Sequence, residues 1–302
     1  MAGNAALAWG EQGRAFLDRL PGTVASVVHD WHLRLEEPFE MNYHWVSGVR
    51  TADGAHAVLK LGPPTADHLA EEVVALRHFA GHGAVRLLAH DAVRGALLLE
   101  RAMPGAAAAS VVPERDIVAT AAIITVMHQL HRPPDGPVAL PDVVDRDQQS
   151  FVEHLRRYPG DHPFPRRLVT RALGLVAELR ADVTEPVVLH GDLHHDNVLR
   201  ASQGREDQPW LAIDPHGVVG DRVAEVGAML YNPDMLRRDP ALVALVPARV
   251  EQLADGLGVS QDRVVAWGFV QAVLSEVWTA EDDGVPVTRA LDIALALEPR
   301  LA

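Results

Sequence analysis

The sequence predicts an α+β chain in two parts: a small, β-rich N-terminal part and a larger, mainly helical C-terminal part. Three observations carry this. Short apolar runs bounded by turn residues crowd the first hundred positions. From Pro113 onward the apolar residues recur at helical spacing instead. The chain has 302 residues, 48% of them hydrophobic, which is enough to build two compact lobes with real cores.

The elements follow in order. Residues 10–20 and 23–31 read as helices split by Pro21-Gly22. Strands are expected over 43–49 and 55–61, joined through Thr51-Ala52-Asp53-Gly54, whose Asp-Gly pair suits a hairpin turn. Residues 66–79 read as a helix with Leu69, Val73, Leu76 and Phe79 on one face. Further strands are expected over 85–89 and 96–99. The alanine-rich stretch 105–110 reads as a connector, so the lobes are assigned to 1–102 and 103–302. Beyond it, helices are expected over 115–130, 148–157, 166–181 and 263–279. The last carries Trp267, Val270, Leu274, Val277 and Trp278 along one stripe. Two short strands, 187–189 and 210–213, interrupt the helices, and each ends at a polar cluster. Chemistry is expected there, since rigid elements position functional loops.

Composition removes several function classes. The chain has no cysteine, which excludes disulfides, thiolate metal sites and cysteine nucleophiles and fits a reducing cytoplasm. Residues 1–13 lack a basic start followed by an apolar run, so no signal peptide is expected. No run approaches the ~18 apolar residues of a membrane helix. The expectation is therefore a cytoplasmic protein with no membrane partner. A net charge of −14 disfavours a nucleic-acid partner and suits a small cationic substrate.

Four clusters carry chemistry. The first is His190-Gly191-Asp192-Leu193-His194-His195-Asp196-Asn197, directly after an apolar strand. Phosphoryl transfer needs an acceptor for the substrate hydroxyl's proton and oxygen ligands for Mg²⁺. Asp192 suits the first task, and Asn197, five residues on, suits the second. The same residues could instead form a self-capped polar turn. The second cluster is Asp214 at the end of Leu211-Ala212-Ile213, a hard oxygen ligand where nucleotide-bound Mg²⁺ would sit. The third is Lys60, closing Ala57-Val58-Leu59, a candidate partner for the α/β-phosphates. Such a lysine pairs with a helical glutamate; Glu71 and Glu72 are both available, and Glu72 is favoured because it lies beside the apolar face. The fourth is the strand ending at Glu100-Arg101-Ala102, where a hinge would offer backbone groups to an adenine. The histidines at 190, 194, 195 and 216 lack the spacing of a zinc hydrolase, and no Gly-x-Ser-x-Gly elbow is present.

With these residues in place, the chain resembles the aminoglycoside and hydroxyurea antibiotic-resistance kinase family, and within it the streptomycin 6-phosphotransferase branch. The likeness runs over almost the whole chain. It includes Glu11-Gln12-Gly13-Arg14-Ala15, Ala84-Val85-Arg86-Leu87-Leu88, Trp210-Leu211-Ala212-Ile213-Asp214-Pro215, Val219-Gly220-Asp221 and Val277-Trp278. The resemblance implies a two-lobed, protein-kinase-like fold with the nucleotide between the lobes. It implies Asp192 as catalytic base, Asn197 and Asp214 on Mg²⁺, Lys60 with Glu72 on the triphosphate, and His190 bracing the loop. It implies ATP, with GTP open, as donor, and a monomer acting on an aminoglycoside hydroxyl of streptomycin type. Hydroxyurea or another small metabolite is the alternative acceptor, and a catalytically weak antibiotic-binding protein is the alternative of another class. Acidic residues near the acceptor would be Glu276, Glu281 and Asp282. Two departures stand out. The segment 42–50, where a phosphate-covering loop belongs, has only Gly48 and carries Tyr43, His44 and Trp45. A position that often holds Asp in the family is Glu225, one methylene longer, which should shift the bracing of the catalytic loop.

Overall fold

The computed structural model describes residues 2–39, 43–64, 67–201, 205, 207–281 and 288–301. The N-terminal lobe holds α1 (Ala2–Asp30), β1 (Arg34–Pro38), β2 (Trp45–Arg50), β3 (His56–Leu61), α2 (Asp67–Phe79), β4 (Leu87–Asp91) and β5 (Ala96–Glu100). The strands form one antiparallel sheet in the order β1-β2-β3-β5-β4. The C-terminal lobe follows with α3 (Asp116–Leu130), α4 (Val143–Arg157) and α5 (Arg166–Ala181). Next come β6 (Val187–Leu189), β7 (Val198–Arg200), β8 (Trp210–Ala212) and β9 (Val218–Gly220). The chain ends in α6 (Val226–Tyr231), α7 (Pro240–Val243), α8 (Val246–Leu257), α9 (Gln261–Glu281) and α10 (Arg289–Leu297). A small antiparallel sheet with a mainly helical lobe is the expected α+β, two-lobed architecture. Among the described residues no helix is long and apolar enough to cross a membrane.

The sheet is apolar on both faces, and strand alternation sorts its residues. Ala57, Leu59 and Leu61 of β3, with Ala96 and Leu98 of β5, pack under Phe16, Leu20 and Val27 of α1. The alternate set, Val58, Leu97 and Leu99, joins the larger core that includes α2 and the helical lobe. Lys60 belongs to that second set by parity. The same alternation that buries Leu59 under α1 therefore delivers the lysine to the side where α2 and the C-terminal lobe meet.

The expected break in the first helix moves. Helix α1 runs through Pro21, and its kink lies at Gly10, with φ 53° and ψ −123°. Pro21 is exposed, so water can satisfy the carbonyl its missing N–H leaves free, whereas Gly10 alone reaches the kinked conformation without steric cost. The strand β1 was not legible either. Its sequence, Arg-Leu-Glu-Glu-Pro, is mostly exposed, which suits an edge strand that must not invite further pairing.

Candidate active site

Two short ladders build the site in the C-terminal lobe. Leu189 pairs with Val218 across β6 and β9, and Val198 pairs with Ala212 across β7 and β8. The loop between β6 and β7 is thereby held against the loop between β8 and β9. The Asn197 carbonyl accepts from the Ile213 amide at 2.9 Å, and the His190 carbonyl from the Gly217 amide at 3.0 Å. The His190 ring, fully buried, donates from Nε2 to the Ile213 carbonyl at 2.8 Å, while its Nδ1 accepts from the Asp192 amide at 3.3 Å. His190 therefore ties the Asp192 loop to the strand end that carries Asp214.

Glu225 completes this frame from below. It sits at the end of a short 3₁₀ turn, Arg222–Glu225, which is capped by Asp221. Its carboxylate accepts from the amides of His190, at 2.7 Å, and Gly191, at 2.9 Å. The longer side chain still braces the loop, reaching both amides. Burial works to raise the Glu225 carboxyl, but His131, at 3.5 Å, with His190 and the Gly191 amide, holds its pKa below the usual range. Gly191 takes φ 84°, a conformation open to glycine, and this turns the chain so that Asp192 follows directly.

Asp192 and Asn197 are in contact. Asn197 Nδ2 donates to the Asp192 carbonyl at 3.0 Å and to its carboxylate at 3.4 Å, so the amide oxygen is the atom left for other partners. His194 lies 3.6 Å from the Asp192 carboxylate and 3.4 Å from that of Asp196, and His216 lies 3.9 Å from Asp192. Burial opposes ionisation of Asp192, but His194, His216 and His190 outweigh it and hold the pKa low. The reciprocal effect acts on His194: burial pulls it down, and the two aspartates carry it up to about 9.

Across the cleft, Lys60 is 5% exposed, and its Nζ lies 2.6 Å from Glu72 of α2 and in contact with Asp214. Glu71 sits on the outward side of α2, near His68. Burial works against the Lys60 charge, yet Asp214 and Glu72 outweigh it and keep the ammonium charged. Burial raises Glu72 to about 7 despite Lys60, while Lys60 holds Asp214 far below the usual carboxylate range. Asp214 takes φ 59°, a left-handed backbone that costs a non-glycine residue about 1–2 kcal/mol. Such cost concentrates where a side chain must be aimed.

The oxygen donors Asn197 and Asp214 are hard ligands of the kind Mg²⁺ selects when phosphates supply the rest of its shell. Among the described residues there is no group of three or more His, Asp or Glu able to hold a metal ion.

Beside Asp192 a narrow recess is lined by Arg146, Tyr231, Gln271 and Trp278. Asp147, fully buried behind it, accepts from Gln271 Nε2 at 2.6 Å and from Arg146 at 3.0 Å, and the Arg146 guanidinium stacks over Trp278 at 5.2 Å. Sequence reading missed this group. Its one signal was Gln271, a polar residue inside the otherwise apolar stripe of α9. The remaining expected residues lie elsewhere. The Glu100 carboxylate is held by Arg86 and Arg205, and its amide donates to the Arg86 carbonyl, with Arg101 and Ala102 following at the strand end. Arg101 itself pairs with Glu36. Glu276 is fully buried and accepts from the Thr288 and Leu291 amides at 2.8 and 3.2 Å, so it caps α10 instead of facing a cleft. Glu281 ends α9, half-buried, and Asp282 lies outside the described residues.

Residues 31–284 match the aminoglycoside/hydroxyurea antibiotic resistance kinase family. The chain belongs to that family. It is 32% identical to a streptomycin 6-kinase of Streptomyces glaucescens, over 98% of this chain and 95% of that protein. It is 35% identical to a hydroxyurea phosphotransferase of Kitasatospora aureofaciens, over 91% and 78% respectively. A choline/ethanolamine kinase family protein from Mesorhizobium loti superposes with a TM-score of 0.63 at 15% identity, covering 94% of this chain and 93% of that one. The fold is thus kinase-like, and the protein is a phosphotransferase with an alcohol group as acceptor. Kinase membership implies a nucleoside triphosphate and a divalent cation.

Proposed function

We propose that this kinase transfers the γ-phosphoryl group of ATP to a hydroxyl of an aminoglycoside of streptomycin type. The observation that carries the phosphotransfer is the meeting of Lys60, Glu72 and Asp214 across the cleft from Asp192 and Asn197. The near-full-length likeness to a streptomycin 6-kinase supports the acceptor class. The lobes divide at the strand end, 1–102 binding nucleotide and 103–302 supplying the catalytic loop and acceptor surface. Backbone groups of Glu100, Arg101 and Ala102 face the base. Lys60, oriented by Glu72, holds the triphosphate. Asp192 orients the acceptor hydroxyl and takes its proton as the oxygen–phosphorus bond forms and the bridging oxygen–phosphorus bond breaks. His190 and Glu225 fix the loop. Asn197 and Asp214 would hold Mg²⁺, which neutralises charge on the phosphates. The low pKa of Asp192 makes it a weak base, so positioning and charge stabilisation carry the rate.

The hydroxyurea reading has its own support in the 35% identity to a hydroxyurea phosphotransferase and in Arg146, a cation in the recess beside Asp192. ADP release measured with Mg²⁺ and either ATP or GTP, across streptomycin, other aminoglycosides and hydroxyurea, separates these. Asp192→Ala should abolish turnover while nucleotide still binds. Undiminished turnover in that variant would remove the assignment.

A further inference from the structure

The segment entering β2 places a histidine where a glycine-rich turn would cover phosphates. Val46 pairs with Lys60 and Trp45 with Leu61, so His44 falls level with Gly62, just past the end of β3. The ring lies on that glycine. A Cβ built at Gly62 would meet His44 Cδ2 at 2.6 Å and Nε2 at 3.2 Å. On its other side the ring meets Trp9 at 5.3 Å, and Trp9 meets Tyr43 at 6.2 Å. Glycine at 62 and the aromatic pair together fix where His44 sits.

Two further features say what this ring awaits. Its Nε2 is buried and has no hydrogen-bond partner among the described residues. Its charged and titratable neighbours are Lys60, Asp214, His68 and His216, a set rich in cations or potential cations. Burial and then Lys60 push its pKa down to about 3, so the ring is neutral and can carry one N–H. An enclosed donor beside Lys60 suits an anion, and buried polar atoms in folded proteins are almost always paired.

We propose that His44 Nε2 is a phosphate ligand, donating to the triphosphate of the bound nucleotide in place of the backbone amides of a glycine-rich loop. This rests on the reading that the Lys60 cleft takes a nucleotide. It assigns the bulky Tyr43-His44-Trp45 segment a use. Trp9 and Tyr43 hold the ring, and Gly62 leaves room for it.

The test is titration calorimetry of the full chain with Mg²⁺ and a non-hydrolysable ATP analogue, with adenosine as the phosphate-free probe. His44→Ala should weaken the triphosphate about 10- to 100-fold, the range for one hydrogen bond to a charged group, and leave adenosine unchanged. His44→Gln retains an amide donor and should recover part of the loss. Gly62→Ala drives the ring aside, with Leu69 Cδ1 at 2.9 Å also giving way, and should reproduce the loss. The double variant His44→Ala/Gly62→Ala should be no worse than the more affected single one. If His44→Ala and His44→Gln both bind the analogue as tightly as the wild type, the proposal fails. It also fails if adenosine binding drops in step, since the ring would then only support the lobe. Should His44→Ala not fold, the Gln and Gly62 variants decide. A wild-type chain that binds no analogue would instead overturn the kinase reading itself.

Discussion

Replacing Glu225 with Gln changes one atom and removes a charge that two buried amides share. The carboxylate accepts from His190 at 2.7 Å and from Gly191 at 2.9 Å. Hydrogen bonds to a charged group contribute about 1.5–3 kcal/mol each. A glutamine can offer its oxygen to one amide, but its NH₂ then confronts the other N–H, which is left buried and unpaired. The expected loss is about 2–4 kcal/mol of folding stability. Asp192 follows Gly191 directly, so a loosened amide pair also displaces the carboxylate proposed as the base, and a displacement near 1 Å costs about 100-fold in rate. Glu225→Asp keeps the charge but withdraws it by one C–C bond, ~1.5 Å, so it should fall between the wild type and the Gln variant. Urea denaturation at pH 7.5 reads the first quantity, and ADP release at saturating nucleotide reads the second. The nucleotide KM should move little, because Lys60 and Glu72 are untouched. Wild-type stability and turnover in Glu225→Gln would refute the bracing argument. A stability loss with normal turnover would leave Glu225 as a fold residue with no hold on Asp192.

Other perturbations test other parts of the frame. Lys60→Met removes the cation shared by Glu72 and Asp214 and should lower kcat/KM for nucleotide by about 100- to 1,000-fold; a change under tenfold would count against its role. Arg249, 1% exposed, bridges Asp116 and the carbonyls of Met229, Leu230 and Asn232. Arg249→Met should cost about 3–5 kcal/mol by denaturation, because Asp116 stays buried without its partner. Acid should destabilise the unliganded protein early. Burial depresses His190, His195 and His44 below 6.5, so at these sites the unfolded chain takes up protons at higher pH than the folded chain does. Glu72, raised to about 7, acts the other way: the folded chain binds its proton first, and its contribution is lost as pH rises through 7. Stability should therefore fall as pH drops below 6.5, with Glu72 offsetting part of the loss. Stability that stays flat from pH 7 to 5 would show that the histidines find charge partners on protonation.

The pairing of Lys60 with Glu72 was legible because it obeys local periods. Strand parity puts Lys60 on the face opposite Leu59, and helical phase puts Glu72 beside Val73 and Leu76, so two short windows suffice to bring cation and carboxylate to 2.6 Å. The recess beside Asp192 breaks that logic. Asp147 and Gln271 are 124 residues apart. Gln271 interrupts the apolar stripe of its helix, whereas Asp147 falls just before the helix expected over 148–157. Periodicity marks at most Gln271 as buried. It says nothing of what they meet, because α4 and α9 come together only in the packed lobe. The same limit explains Glu276, whose charge suggested a binding face while its partners, the Thr288 and Leu291 amides, belong to the start of the next helix. A buried polar residue inside an apolar stripe should therefore be read as a request for a distant partner. In this chain two such requests have different answers: Asp147 is met by Gln271 and Arg146 beside Asp192, and Glu276 by amides at the start of α10.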